Sequence, residues 1–277
     1  MKIAPINNFK YKKINPSFSS YNTEVRDNNK LVYKTQTDLF RQDLNWRALY
    51  NLIAEKYERA DKVNIVDHAC SAGYEPWSML IMLKKRAGKD FQKYMPIIAR
   101  DIDKDAIEYA KQGKLGLCYD ECLETRLNYG PAWVDNFDIE KRNRDGNINN
   151  RNEYLATCKT DLGKNIDFAQ SDIFQDKELI NKDNTVLLLR NCWPYFGEDR
   201  VAELAYFLAD NMKPSSILVI GQYDHTYQID KLLRNYGFKN TWVEFVYEAP
   251  GKSVKNSVEK FPLKRRDEID FASPFFI

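Results

Sequence analysis

The chain has 277 residues, 43% of them apolar and 30% charged, with 42 Lys and Arg against 40 Asp and Glu. A formal charge of +2 argues against a dedicated nucleic-acid binder, which carries a strongly basic face. Two histidines, His68 and His225, exclude a histidine-rich metal site, and 11 glycines, fewer than the usual ~7%, leave no G-x-G-x-x-G phosphate loop.

Residues 1–28 are rich in Asn, Lys and Ser without periodicity and read as a flexible N-terminal tail. The start MKIAPINNFKYKK is basic but lacks the apolar stretch of a secretory signal. Residues 29–60 form an expected helical segment: Leu39, Phe40, Leu44, Leu49, Leu52, Ile53 and Tyr57 fall at helical spacing between Thr37 and Tyr57. Thr37 or Asp38 supplies its N-cap. The rhythm then changes over residues 61–250. Val63–Asp67, Ile97–Ile102, Ile166–Ala169, Thr185–Leu189 and Ile217–Gln222 read as strands. Pro76–Arg86, Lys104–Gln112, Glu198–Asn211 and Tyr227–Tyr236 read as the helices between them. Such alternation predicts an α/β fold with a mostly parallel, doubly wound sheet covered on both faces. Trp242–Tyr247 alternates as an antiparallel edge strand does. Between Gly116 and Glu153 the pattern fails, which marks an insertion, and residues 251–277 form a C-terminal tail. No apolar run approaches the ~20 residues that span a bilayer. Five irregularly spaced cysteines include one C-x-x-x-C pair, Cys118 and Cys122, with no second pair to complete a metal set. A cytoplasmic protein with reduced thiols, no metal and no membrane insertion is expected.

In an open α/β sheet ligands bind at the carboxyl ends of the strands. After the first strand comes HACSAGYEPWS, where Ala69, Ser71, Ala72 and Gly73 let backbone approach a ligand and Glu75 opens the next helix. His68 is either a cofactor contact or a satisfied, hydrogen-bonded side chain. Asp101 ends the second strand, followed by Ile102 and Asp103; an acid there can accept from both hydroxyls of a ribose, while Asp103 suits a helix cap. Asp172 and Ile173 follow the third strand, and Arg190, Asn191, Cys192 and Tyr195 the fourth. Four strand ends thus converge on one crevice. The missing pyrophosphate loop favours a nucleoside-bearing ligand without phosphates, such as S-adenosylmethionine.

The chain resembles the CheR-type methyltransferases, which methylate glutamate side chains of chemotaxis receptors with S-adenosylmethionine. Thr37-Asp38-Leu39-Phe40-Arg41 looks like the family's T-x-F-F-R, and CSAGYEPWS (Cys70–Ser78) is similar to C-S-x-G-E-E-P-Y-S. ARDIDKDAIEYAKQGKLG (Ala99–Gly116) resembles A-T-D-I-D-x-x-x-L-x-x-A-x-x-G, and LLRNCWPYF (Leu188–Phe196) resembles C-R-N-x-x-x-Y-F. The resemblance implies a Rossmann-like methyltransferase fold preceded by a short helical segment. It further implies cofactor contacts from Thr37, Arg41, Glu75 and Asp101, an adenine side at Asp172 and Ile173, and roles for Asn191, with Tyr195 and Arg41 facing the acceptor. Tyr74 stands where the family has its first Glu, Leu39 where it has Phe, and Trp193-Pro194 alters the last motif. An already ionised carboxylate acceptor needs no general base, which suits a chain with two histidines. Three expectations follow: a protein carboxyl methyltransferase, a methyltransferase for a small molecule or another protein group, or a degenerate cofactor- or partner-binding domain. The sequence leaves the oligomeric state open.

Overall fold

The computed structural model describes residues 38–142, 153–251 and 260–265, all within one compact unit, Thr35–Ile277. The tail at 1–28, Thr37 and most of the segment 251–277 lie outside the described residues.

The helix expected from Thr37 starts later. Phe40 takes φ 48°, a left-handed conformation that interrupts a right-handed helix, and residues 38–44 form turns. Helix α1 (Trp46–Lys56) begins where the Asn45 side chain accepts the Ala48 N–H, and it buries Trp46, Leu49, Leu52 and Ile53. Strand β1 (Asn64–His68) is buried at all five positions. Helix α2 (Tyr74–Arg86) carries Glu75 in its first turn and Lys84, Lys85 and Arg86 in its last, as the helix dipole favours. Strand β2 (Ile97–Asp101) leads into α3 (Lys104–Ala110), capped by Asp103, whose carboxylate accepts the Asp105 and Ala106 N–H groups.

The stretch whose rhythm fails holds structure of its own. Strand β3 (Lys114–Leu117), helices α4 (Tyr119–Tyr129) and α5 (Pro131–Val134), and strands β4 (Phe137–Lys141) and β5 (Tyr154–Cys158) build a second sheet, antiparallel, in the order β3-β5-β4. Strand β4, Phe-Asp-Ile-Glu-Lys, alternates for only four residues and buries only Phe137, and it runs directly into the Asn- and charge-rich stretch after Lys141. Phe137 stacks on Trp133 at 4.4 Å and meets Trp77 of α2 edge-on at 5.3 Å. Those contacts seat the small sheet on α2. Residues 143–152 lie outside the described residues.

The chain continues through β6 (Ile166–Gln170), α6 (Lys177–Ile180), β7 (Thr185–Leu188), α7 (Gly197–Asn211), β8 (Ile217–Val219), α8 (Gln222–Thr226), α9 (Ile229–Asn235), β9 (Lys239–Asn240) and β10 (Val246–Glu248). Among the described residues the main sheet runs β6-β2-β1-β7-β8-β10-β9. The first five strands are parallel, β10 is antiparallel to β8, and β9 is antiparallel to β10. The antiparallel strand expected at 242–247 therefore begins only at Val246, and β9 takes the outermost place. Phe245 sits at φ 64° and Trp242 is 61% exposed, so the alternation belongs to a loop rather than a strand. Strand order reverses beside β1, whose neighbours are β2 and β7. That switch point puts a ligand crevice at the carboxyl ends of β1 and β7.

Candidate functional site

The turn after β1 is strained and pinned. Ala69, Ser71 and Gly73 take φ values of 63°, 50° and 87°. A non-glycine residue held there costs about 1–3 kcal/mol and persists only where its surroundings fix it. Asp101 does the fixing: its Oδ2 accepts the Ser71 N–H at 2.6 Å and its Oδ1 accepts the Asp103 N–H at 2.8 Å. Burial pushes this carboxyl above its ordinary range, and the two N–H donors oppose the shift. Each oxygen retains a second lone pair for ligand hydroxyls. At Gly73 an added Cβ would lie 2.9 Å from Ala110 Cβ and 3.1 Å from the Phe168 ring, so this glycine also lets α3 and β6 pack against the turn. Ile102, beside Asp101, is 42% exposed.

A buried charge cluster closes the β7 side. Arg190 donates to Glu75 Oε2 and to Asp43 Oδ1, each at 2.5 Å, with its own side chain 1% exposed. Trp46 lies beneath the guanidinium, 5.4 Å from ring centroid to Cζ. Burial raises the Glu75 carboxyl while Arg190 lowers it. Arg41 stands 3.7 Å from the other Asp43 oxygen. Asn191, at φ 58°, donates to Asp43 Oδ2 at 2.9 Å and accepts the Tyr223 N–H at 3.0 Å. Both of its polar ends are thus engaged within the protein. Asp224 accepts the Asn191, Trp193 and Gly221 N–H groups, and burial lifts its carboxyl to about 7. Cys192 is buried, and burial followed by the nearby Asp224 raises its thiol.

At the outer edge Tyr195 is 42% exposed, with the Tyr223 ring 6.2 Å away and Tyr227 5.1 Å beyond that. Burial raises the Tyr195 hydroxyl, and the Arg41 guanidinium pulls it back. On the β6 side Asp172 caps a short 3-10 turn by accepting the Phe174 N–H, and Ile173 is buried. His68 meets Asp176 Oδ2 at 2.8 Å, the satisfied arrangement that the sequence left as one of two readings.

The structure therefore draws Arg41, Glu75, Asn191 and Tyr195 into one network, with Asp101 and the Ala69–Gly73 turn adjoining it; Thr37 is outside the described residues. Sequence reasoning missed Asp43, Asp67, Asp224 and Tyr223. Asp43 follows Arg41 by two positions, and Asp67 closes the run Val63–Asp67 that reads as the first strand, which were the available signals.

The residues fit a phosphate-free, cationic nucleoside ligand. Three buried polar atoms near the switch point, Asp67 Oδ2, Ser71 Oγ and Arg190 Nε, have no hydrogen-bond partner in the protein. Four carboxylates, Asp43, Asp67, Glu75 and Asp101, stand against two guanidiniums, Arg41 and Arg190, an acid surplus that complements a sulfonium and an ammonium. Among the described residues no cluster of His, Cys, Asp and Glu could hold a metal ion, and no helix is long and apolar enough to cross a membrane.

Residues 35–241 match the family described as CheR methyltransferase, SAM binding domain. Chemotaxis protein methyltransferase 2 of Pseudomonas aeruginosa is 23% identical over 201 residues, covering 73% of this chain and 67% of that protein. Among solved structures, the DszA carbon methyltransferase superposes with a TM-score of 0.40 at 11% identity, over 75% of this chain and 53% of that one. Magnesium protoporphyrin IX methyltransferase from Synechocystis PCC 6803, with bound S-adenosylmethionine, gives 0.35 at 10% identity, over 79% of this chain and 86% of that one. The family match covers most of the chain and all four strand ends of the crevice, and the protein belongs to the CheR family of S-adenosylmethionine-dependent methyltransferases.

Proposed function

We propose that this methyltransferase acts on a carboxylate of a protein substrate, a glutamate side chain, as expected of a relative of a chemotaxis protein methyltransferase. One observation carries the reading. Arg41, with its side chain 29% exposed, and Tyr195 stand together at the outer edge of the crevice, where a guanidinium and a phenol hydroxyl can both donate to an incoming carboxylate. The bound cofactor supplies an electrophilic sulfonium methyl. Asp101 holds the nucleoside hydroxyls, Glu75 faces the methionine end, and Asp172 and Ile173 border the adenine side. Cys192 completes the cofactor contacts among the described residues. A glutamate with an ordinary pKa near 4.3 is already ionised at pH 7, so the chain need remove no proton from it. The task left to the protein is alignment and partial removal of water, which can supply about 7–11 kcal/mol.

Transfer of labelled methyl groups into acidic proteins, the cytoplasmic domains of chemotaxis receptors first, tests the proposal. Label released by mild alkali identifies a carboxyl ester and supports it. Label that survives alkali, or that enters only small molecules, contradicts it. Binding of cofactor without any transfer favours a domain that has lost catalysis.

A further inference from the structure

We infer that Arg265 is a specificity-determining residue, which binds an acidic side chain of the protein acceptor other than the one methylated. The inference rests on the reading of Arg41 and Tyr195 as the acceptor mouth. Residues 260–265 form a strap fixed by alternate side chains. Phe261 and Leu263 pack on the buried cluster built by β7, β8, α7 and α9, while Pro262 and Lys264 are exposed. Lys260 pairs with Glu198 and Asp199 in the first turn of α7, at 3.5 and 3.2 Å, and the Phe261 N–H donates to the Glu198 carbonyl. At the far end Gln228 Nε2 donates to the Lys264 carbonyl at 3.4 Å. Gln228 directly follows Tyr227, so the strap delivers Arg265, half-buried like Phe261 and Leu263, beside the tyrosines of α8 and its C-cap.

Those tyrosines continue the acceptor mouth. From Tyr195 the row steps 6.2 Å to Tyr223 and 5.1 Å to Tyr227, and the Tyr223 and Tyr227 hydroxyls stand 3.3 Å apart. One of those hydroxyls donates to the other, which leaves the second hydrogen to donate to a ligand. Burial first, then the Tyr227 hydroxyl, raises the Tyr223 phenol, and the Arg265 guanidinium pulls it back. A cation therefore stands at each end of the row, Arg41 near Tyr195 and Arg265 near Tyr223. The carboxylate that Arg41 and Tyr195 receive leaves Arg265 to another side chain of the same acceptor. Its five N–H donors serve a contact within the protein and an incoming carboxylate together, and its planar fork matches that carboxylate in shape. The apolar Phe261 and Leu263 suffice to hold the strap down; a guanidinium at the mouth serves recognition.

The test is steady-state methylation of the cytoplasmic domain of a chemotaxis receptor by the full chain and by its Arg265→Gln, Arg265→Lys and Lys264→Gln variants. Cofactor affinity is titrated beside it. Arg265→Gln keeps most of the aliphatic stem and its packing. It should raise KM for the receptor domain about fivefold or more, with kcat and cofactor affinity within about twofold of wild type. Arg265→Lys should recover part of the loss, because it restores the charge without the fork. Lys264→Gln removes an equal charge from the exposed neighbour and should leave KM within about twofold. Added salt should narrow the difference in KM between wild type and Arg265→Gln, as screening of an ion pair requires. Equal KM in those two proteins, or a rise that Lys264→Gln shares, overturns the inference alone. A loss that falls on kcat and cofactor affinity together, with no recovery in Arg265→Lys, makes Arg265 a structural clamp and also overturns it. A wild-type chain that binds cofactor but methylates no receptor carboxylate overturns the proposed acceptor and the inference together.

Discussion

Arg190 and Asp43 lie 147 residues apart in sequence and meet at 2.5 Å, with the guanidinium side chain 1% exposed. Through this contact the arm of residues 38–43, which carries Arg41, is tied to the loop that carries Asn191 and Tyr195. Glu75, on the other side of the same guanidinium, ties both to the first turn of α2. The crevice is thus assembled around one buried cation.

Removal of that cation takes away the ion-pair partner of Glu75 and leaves Asp43 only Arg41 at 3.7 Å and the Asn191 amide. Arg190→Ala should lower unfolding free energy by about 3–5 kcal/mol, the cost of breaking a buried pair from one side. Urea denaturation measures it. A loss below about 1 kcal/mol would place the cluster in water and contradict the account.

Asp224 gives the fold a pH signature. Its folded pKa of about 7 lies above the value of about 3.9 for an unfolded Asp. Between those values the folded state keeps the proton that the unfolded chain has lost. The contribution of Asp224 is therefore fully present below about pH 4 and is lost as pH rises to about 7, after which it is flat. Asp224→Asn, neutral at every pH, should remove this part of the slope. Melting temperatures of the two proteins from pH 4 to 8 decide it, and parallel curves would refute the assignment.

Gly221 is required for contact rather than conformation, since its φ of −100° is open to any residue. An added Cβ would stand 2.2 Å from Asn191 Oδ1. Gly221→Ala should cost about 1–3 kcal/mol by overpacking and also weaken the Asn191 contacts to Asp43 and the Tyr223 N–H. Thermal denaturation combined with cofactor affinity reads both effects, and a variant of wild-type stability would show that the loop yields freely.

Arg41 and Tyr195 should separate binding of the acceptor from binding of the cofactor. Tyr195→Phe keeps the ring and removes one donor; Arg41→Lys keeps charge and loses the planar fork. Each should reduce kcat/KM for the carboxylate substrate by about 10- to 100-fold, in line with one lost hydrogen bond to a charged group. Tyr195→Phe should leave cofactor affinity within about twofold. Steady-state kinetics beside cofactor titration would expose a purely structural role through a parallel loss of both.

The strands and the crevice were legible because buried parallel strands such as Thr185–Leu188 are short apolar runs, and because Asp101 ends β2 and Arg190–Tyr195 follow β7. Two features resisted. The small sheet was hard to read because its strands are four or five residues long and the alternation of β4, Phe-Asp-Ile-Glu, breaks off at the charge- and Asn-rich stretch that follows. The Asp43–Arg190–Glu75 cluster was silent because its members come from three distant segments, and an acid paired with a buried arginine looks the same in sequence as one in water. The early helix was misplaced for a third reason. Leu39 and Leu44 are buried, as helical spacing implied, yet they reach the core from turns around the left-handed Phe40.

Calorimetric titration of the full chain with S-adenosylmethionine, repeated on Asp101→Ala, tests the central claim most directly. The account predicts one cofactor per chain, with an affinity about tenfold or more weaker in the variant, because the loss removes both the ribose acceptor and the pin on the Ser71 turn. Absence of binding to the wild-type chain, or equal affinity in the two proteins, would contradict it.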